Sequence, residues 1–392
     1  MDPNHYNRRA SIDIFRGLNM FLMLFVIDAM TLSAIPQWIG HTKAEVDGMG
    51  LADVVFPAFL FLVGLSIPSA ISNRKSRNES SGKLLIHVLF RTFSLVLIGL
   101  FIVNLDHLQN DVGLISKNVW QLLLVISFFL IWNHYRVEQV LGVVPTWVLR
   151  SIGVALLVFL AIIYQARDPQ NDSSWMQIHW WGILGLIGWS YGFCALLYLW
   201  LQDRVVGLFA MVVIFFVLNI QEFMPQIAGS FRLIISASNY AMVMSGVLVA
   251  VIVQKVELEG KILTWLISLV LLLLVFGFGT RHLWGISKIM ATPSWAAICT
   301  AISIAVFLLL YMVADKWKYV SWAKPLSPAG RNTLTCYVLP YAIWSLMWMM
   351  QFQYPHILSS GYSGLLRSFF FAGFVVFLTH VLDKQLHIKL KL

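Results

Sequence analysis

The densest group of reactive side chains lies between residues 41 and 53, where HTKAEVDGMGLAD carries His41, Lys43, Glu45, Asp47 and Asp53. Histidine is the side chain that, unperturbed, takes and returns a proton near neutral pH, so His41 is the candidate general base. A carboxylate, Asp47 or Asp53, would orient its imidazole as in generalised triads. The plainer alternative is a solvated histidine beside acidic caps and turn formers. Asp53 is well placed as the N-cap of the helix that follows. In ADVVFPAFLFLVGLSIP, Pro57 lacks the amide that would bond back to Asp53, and Pro68 leaves the Gly64 carbonyl without its donor. The sequence thus predicts a helix irregular at both ends, a kind tolerated in membranes where it lines a cavity or meets another protein surface.

Other polar residues interrupt apolar runs, where ionisable groups are costly and mark a site or a paired contact. Asp28 lies deep in FLMLFVIDAM without a local cation, and either binds substrate or bonds a neighbouring helix. Asp13 and Arg16 are three apart, the spacing of a simple ion pair. His87 and Arg91 share a helical face, where an arginine can reach a phosphate or snorkel to headgroups. In KPLSPAGRNTLTCYVLPY, Lys324, Arg331 and Asn332 precede an apolar run, and a Gly- and Arg-bearing loop before a helix start is a candidate anion cradle, although no Walker or dinucleotide motif is present.

The elements that must position these residues are membrane helices. The chain is 59% apolar and only 11% charged, against roughly 25% charged in soluble domains. Apolar segments long enough for a hydrocarbon core of about 30 Å recur throughout. They fall near 14–35, 53–72, 84–105, 118–133, 147–164, 180–201, 205–220, 238–254, 262–279, 295–314, 333–350 and 365–382. The expected fold is therefore an all-α polytopic transmembrane bundle of 11–12 spans, the fourth being short, and residues 1–392 read as one membrane domain.

Counting Lys and Arg by loop gives seventeen on one side, among them Arg8, Arg9, Arg74, Lys75, Arg77, Arg136 and Lys316. Six lie on the other: Lys43, Lys117, Arg167, Arg232, Arg281 and Lys288. The positive-inside rule then places both termini in the cytoplasm and the His41 loop outside. The net charge of +9 is spread over short loops, which argues for topology and against nucleic acid as partner. Cys194, Cys299 and Cys336 sit in apolar segments without paired spacing and read as small buried hydrophobes, with no metal site indicated. The first residues show no cleavage pattern, so the first apolar stretch is expected to remain as a span.

SIDIFRGLNMFLMLFVIDAM followed by ADVVFPAFLFLVG resembles the heparan-α-glucosaminide N-acetyltransferase family, with its S-L-D-x-x-R-G-L opening and later D-L-V-F-P-F-F-x-F-x-x-G block. RTFSLVLIGLFIVN, ISKIMATPSWAAICTAISIAVFLLLYMVAD and AGRNTLTCYVL extend the likeness, in order, over nearly the whole chain. The resemblance is to a bacterial-type member without a large soluble domain, and the short hydrophilic loops suit a bacterial inner membrane. The likeness implies transfer from cytoplasmic acetyl-CoA to the amine of a terminal glucosamine on the far side. The family histidine stands ten residues before the block's aspartate, the place of Lys43 here, and a two-residue slip brings the role to His41. The family asparagine near the end of the first span meets Ile27 and Asp28.

On this reading His41 is the base, oriented by Asp47 or Asp53. Arg16, Arg91, Lys324, Arg331 and Asn332 meet the CoA phosphates, and Asp28 and Glu45 meet the aminosugar or glycosaminoglycan fragment. Direct transfer and a two-step route through acetyl-histidine both fit, direct transfer being favoured because a deprotonated amine is already a good nucleophile. A homodimer is allowed. The rival readings are acyl transfer to another envelope glycan and a secondary transporter of sugars or organic anions, although no second ADVVFP copy marks the internal repeat usual in transporters.

Overall fold

The computed structural model describes residues 9–112, 115–135, 139–140, 144–166, 175–223, 236–256 and 261–392. Arg8, Arg136, Arg167 and Arg232 of the charge count lie outside the described residues. Among the described residues twelve long helices follow one another: α1 (Ala10–Ala29), α2 (Leu51–Lys75), α3 (Ser81–Asn104), α4 (Lys117–Trp132), α5 (Thr146–Ile162), α6 (Gly182–Leu201), α7 (Val205–Glu222), α8 (Ala237–Val256), α9 (Ile262–Trp284), α10 (Pro293–Leu310), α11 (Thr333–Met349) and α12 (Gly361–Lys384). The only sheet described is two short two-stranded hairpins. The fold is an all-α polytopic helical bundle. Nine of the described helices are long and apolar enough to cross a membrane, and α4 and α5 are shorter apolar helices. Each apolar segment of the sequence contains one helix.

Two helix starts are set by polar contacts that hydropathy does not read. Helix α1 begins at Ala10 because a remote carboxylate satisfies its first amides: the Ala10 and Ser11 N–H groups donate to Asp315 Oδ1 at 3.0 and 3.3 Å. Asp315 lies in the π-helical turn Tyr311–Lys316 that continues α10. Helix α2 begins at Leu51, with Gly50 as its N-cap, so Asp53 is the third helical residue and not the cap. The same helix continues without interruption through Pro57 and Pro68, where the sequence predicts irregular ends.

By contacts the chain divides into two compact units. The first holds the residues up to Asn19 together with Ile35–Phe93 and Ile187–Pro325. Within it α2 packs against α8 and α10, α7 against α8, and α9 against α10. Helices apolar all round are buried helices, and α2 and α8 fit that rule, with Phe61, Leu60, Val243 and Val247 shielded from solvent. Their backbones nearly touch. A Cβ on Gly64 would lie 1.9 Å from the Val243 carbonyl oxygen, and one on Gly246 would lie 2.1 Å from that of Phe61. Small residues that let membrane helices approach this closely replace the hydrophobic drive that lipid cannot supply. Because the obstacle is backbone, Gly64→Ala is expected to cost at least the 1–3 kcal/mol, roughly, of core overpacking. A thermal midpoint of the detergent-extracted variant equal to wild type would refute this crossing.

The second unit holds Met20–Ala34, Ser94–Leu186 and Leu326–Leu392. Here α4 packs against α5 and α11, and α11 against α12. After α12 the chain turns back as a strap. His134 N–H donates to the Lys389 carbonyl at 2.9 Å, Lys389 N–H to Asn133 Oδ1 at 3.0 Å, and Leu390 N–H to Thr335 Oγ1 at 2.9 Å. Cys194, Cys299 and Cys336 are all buried, as their apolar surroundings predict.

Candidate active site

The loop before α2 is organised by one carboxylate. Asp53 Oδ2 accepts two backbone hydrogen bonds, from Gly50 N–H at 2.9 Å and Thr42 N–H at 3.0 Å. Gly50 is required for this closure, since a Cβ there would lie 2.1 Å from the Gly40 carbonyl oxygen. With Oδ2 occupied, Oδ1 faces His41 Nδ1 at 2.6 Å. The Asp53 side chain is fully buried while that of His41 is 33% exposed. An ionised carboxylate only accepts, which assigns the hydrogen to Nδ1 and leaves the lone pair on Nε2. That is the geometry of an oriented base.

The Asp53 main chain is tied down as well. Its carbonyl, deprived of a helix partner by Pro57, accepts the Trp295 indole N–H at 3.1 Å and lies 3.8 Å from Cys299 Sγ, both on α10. The proline therefore opens an acceptor that a neighbouring helix uses, which is how freed backbone groups are satisfied in membrane proteins.

A third ionisable group completes the cluster. Lys288 Nζ lies 3.2 Å from both His41 Nδ1 and Nε2 and 5.9 Å from the centre of the Phe56 ring. Burial pushes the Lys288 ammonium down to about 8, against the opposing pull of Asp53. Its segment is held to the His41 loop by Asp47. Asp47 Oδ2 accepts Arg281 Nε–H at 2.8 Å, Oδ1 accepts Ile286 N–H at 2.7 Å, and Gly48 N–H donates to the Ile286 carbonyl at 2.9 Å. The Arg281 hydrogen bond holds the Asp47 carboxyl below the usual carboxylate range. Of the two carboxylates offered by the sequence, Asp53 is thus the one bonded to His41, and Asp47 fastens the segment that carries Lys288. Sequence reasoning missed Lys288. The available signal was its place among the scarce Lys and Arg of the loops that the charge count assigns to the outer side.

The remaining candidates are placed as follows. Lys43 and Glu45 are exposed on the His41 loop, and Lys324 is exposed before the second unit. Arg16 pairs with Asp13 at 3.2 Å and donates to Ser66 Oγ at 2.7 Å. The Arg91 guanidinium stacks 4.6 Å from the Tyr191 ring centre. His87 lies 3.2 Å from Arg74 Nη2, and Arg74 pairs with Glu79 at 2.8 Å.

In the second unit Arg331 is exposed, and Asn332 Nδ2 donates to Asp383 Oδ2 at 3.1 Å. Asp383 also pairs with Lys389 at 2.8 Å, so an internal carboxylate stands at the start of α11 where the sequence suggests an anion cradle. Asp28, without a cation nearby in sequence, meets one from α12. It accepts Arg367 Nη2–H at 2.9 Å and Ser368 Oγ–H at 2.6 Å, and the Arg367 guanidinium lies 4.5 Å from the Tyr354 ring centre.

Fold and site together define a polytopic helical protein with a carboxylate-oriented histidine and an adjoining lysine in the loops flanking its helices. No protein-family model matches the chain. Over 167 residues, 43% of its length, it is 28% identical to heparan-alpha-glucosaminide N-acetyltransferase of Mus musculus. Over 97 residues, 25% of its length, it is 36% identical to heparan-alpha-glucosaminide N-acetyltransferase of Homo sapiens. The matched stretches span 21% and 14% of those two proteins.

Proposed function

We propose that the chain is a membrane acetyltransferase that moves an acetyl group from acetyl-CoA to the amine of an aminosugar, with the terminal glucosamine of a heparan-type saccharide as the acceptor class. The observation that carries this reading is the 2.6 Å contact between His41 Nδ1 and the buried Asp53. It leaves the Nε2 lone pair uncommitted to the carboxylate, able to take the proton of an acceptor ammonium. The relatives' activity, borne by proteins of which this chain matches a limited part, supports the same reaction class.

Transfer is direct. Asp53 fixes the imidazole, His41 deprotonates the acceptor, and the amine attacks the thioester carbon. The exposed Lys324 is the candidate to meet the CoA phosphates, because Arg16 and Asn332 already have internal partners. Purified protein incubated with labelled acetyl-CoA and a panel of aminosugars should yield labelled N-acetylated product. Uptake of sugar into vesicles without product would replace this reading with transport.

The donor is taken to come from the cytoplasm and the acceptor from the opposite side, in a bacterial inner membrane with both termini cytoplasmic. A reporter active only outside should then work when fused near residue 110 and fail near residue 78, within the basic run Arg74, Lys75 and Arg77. The opposite pattern would invert both substrates.

A further inference from the structure

A base alone does not complete acetyl transfer, because the thioester oxygen acquires negative charge in the transition state and needs a donor fixed in advance. We propose that Lys288 is that donor, a catalytic residue whose ammonium binds the thioester carbonyl oxygen while His41 takes the proton of the acceptor amine. This rests on the acetyl-transfer reading above.

Three observations lead to Lys288. Attacking nitrogen and oxyanion share one carbon, so base and cation must be close neighbours, and Nζ is 3.2 Å from Nε2. Among the described cations of these loops, Arg281 is held by Asp47 at 2.8 Å and Lys43 is exposed. Lys288 lies half-buried over the Phe56 ring, where exclusion of water strengthens its hold on a developing charge. The ionisable groups around it are His41 from the loop, Asp53 from α2 and Cys299 from α10.

The step balances without a further reactant. His41 Nε2 accepts one proton from the acceptor ammonium, and the freed lone pair forms the C–N bond as the carbonyl π pair moves onto the oxygen held by Lys288. That pair then re-forms the carbonyl, the C–S bond breaks, and the thiolate leaves with the second nitrogen proton. Lys288 keeps its own protons throughout, so it must be cationic to act.

The test compares wild type, Lys288→Met and Lys288→Arg in the same membranes, with labelled acetyl-CoA and glucosamine over pH 6 to 10, roughly. Lys288→Met should lower kcat by about 10²- to 10³-fold, with both KM values changed only a few-fold. The ratio of wild-type to Met-variant rate cancels the acceptor's own titration and should fall as pH passes about 8, the value to which burial lowers the lysine. Lys288→Arg should retain more activity than Met and show no fall near that pH. A Met variant with wild-type kcat, or a rate ratio that is flat with pH, would overturn the assignment, and extraction as a monodisperse species separates misfolding from lost chemistry. Absence of transfer by wild type would instead overturn the parent reading, and this inference with it.

Discussion

His41→Ala should cut turnover by about 10²- to 10⁴-fold, the usual contribution of a positioned general base. Acetyl-CoA binding and thermal stability should be nearly unchanged, because the imidazole is one-third exposed and its removal opens no core cavity. Lys43→Ala is the matched control. Its side chain is exposed on the same loop, two residues from His41. Single-turnover kinetics with labelled acetyl-CoA would separate the two. A dead Lys43→Ala beside an active His41→Ala would move the base two residues along the loop. Two active variants would remove the loop from the chemistry.

Asp53→Asn should be nearly as damaging, for a reason set by hydrogen-bond direction. The Thr42 and Gly50 amides both donate to Oδ2, so the new amide must turn its oxygen towards them. Its NH₂ then faces His41 Nδ1, which can now only accept. The imidazole hydrogen is driven to Nε2, and the base is lost while the loop keeps its shape. Carboxylate-to-amide changes of this kind cost about 10⁴-fold in a well-characterised triad. Asp53→Ala adds a folding penalty, since each unsatisfied amide costs about 1–3 kcal/mol. The check is kcat beside thermal stability: Asn should lose rate and little stability, Ala both. An Asn variant within tenfold of wild type would show that Asp53 does not set the tautomer.

Hydropathy located every long helix among the described residues, because a hydrocarbon solvent imposes length and apolarity on each span independently of its neighbours. What it could not locate were features made by partners remote in sequence. The start of α1 depends on Asp315, and the burial of Asp28 on Arg367 and Ser368. The segment before α11 reads as an anion cradle through Arg331, Asn332 and the following helix start, yet Asn332 bonds Asp383 and Thr335 bonds the C-terminal strap. The His41 loop was legible as a concentration of charge, but proximity in sequence did not distinguish Asp47 from Asp53. The Gly50 turn makes that choice by directing the Asp53 carboxylate towards the imidazole. Lys288 was illegible as a site residue because 247 positions separate it from His41.

Pro57 has a consequence beyond its local helix. By denying the Asp53 carbonyl a partner within α2, it obliges that carbonyl to engage Trp295, three residues into the helix whose leading segment carries Lys288. The missing amide thus acts as an index pin: it sets the rotational phase of α2 against α10, and with it the spacing between the carboxylate that aims the imidazole and the ammonium beside it. An alanine at position 57 would restore an internal helix bond and make two donors compete for one carbonyl. Catalytic spacing in this protein is then a matter of angular registry between two helices, fixed by an absent hydrogen atom.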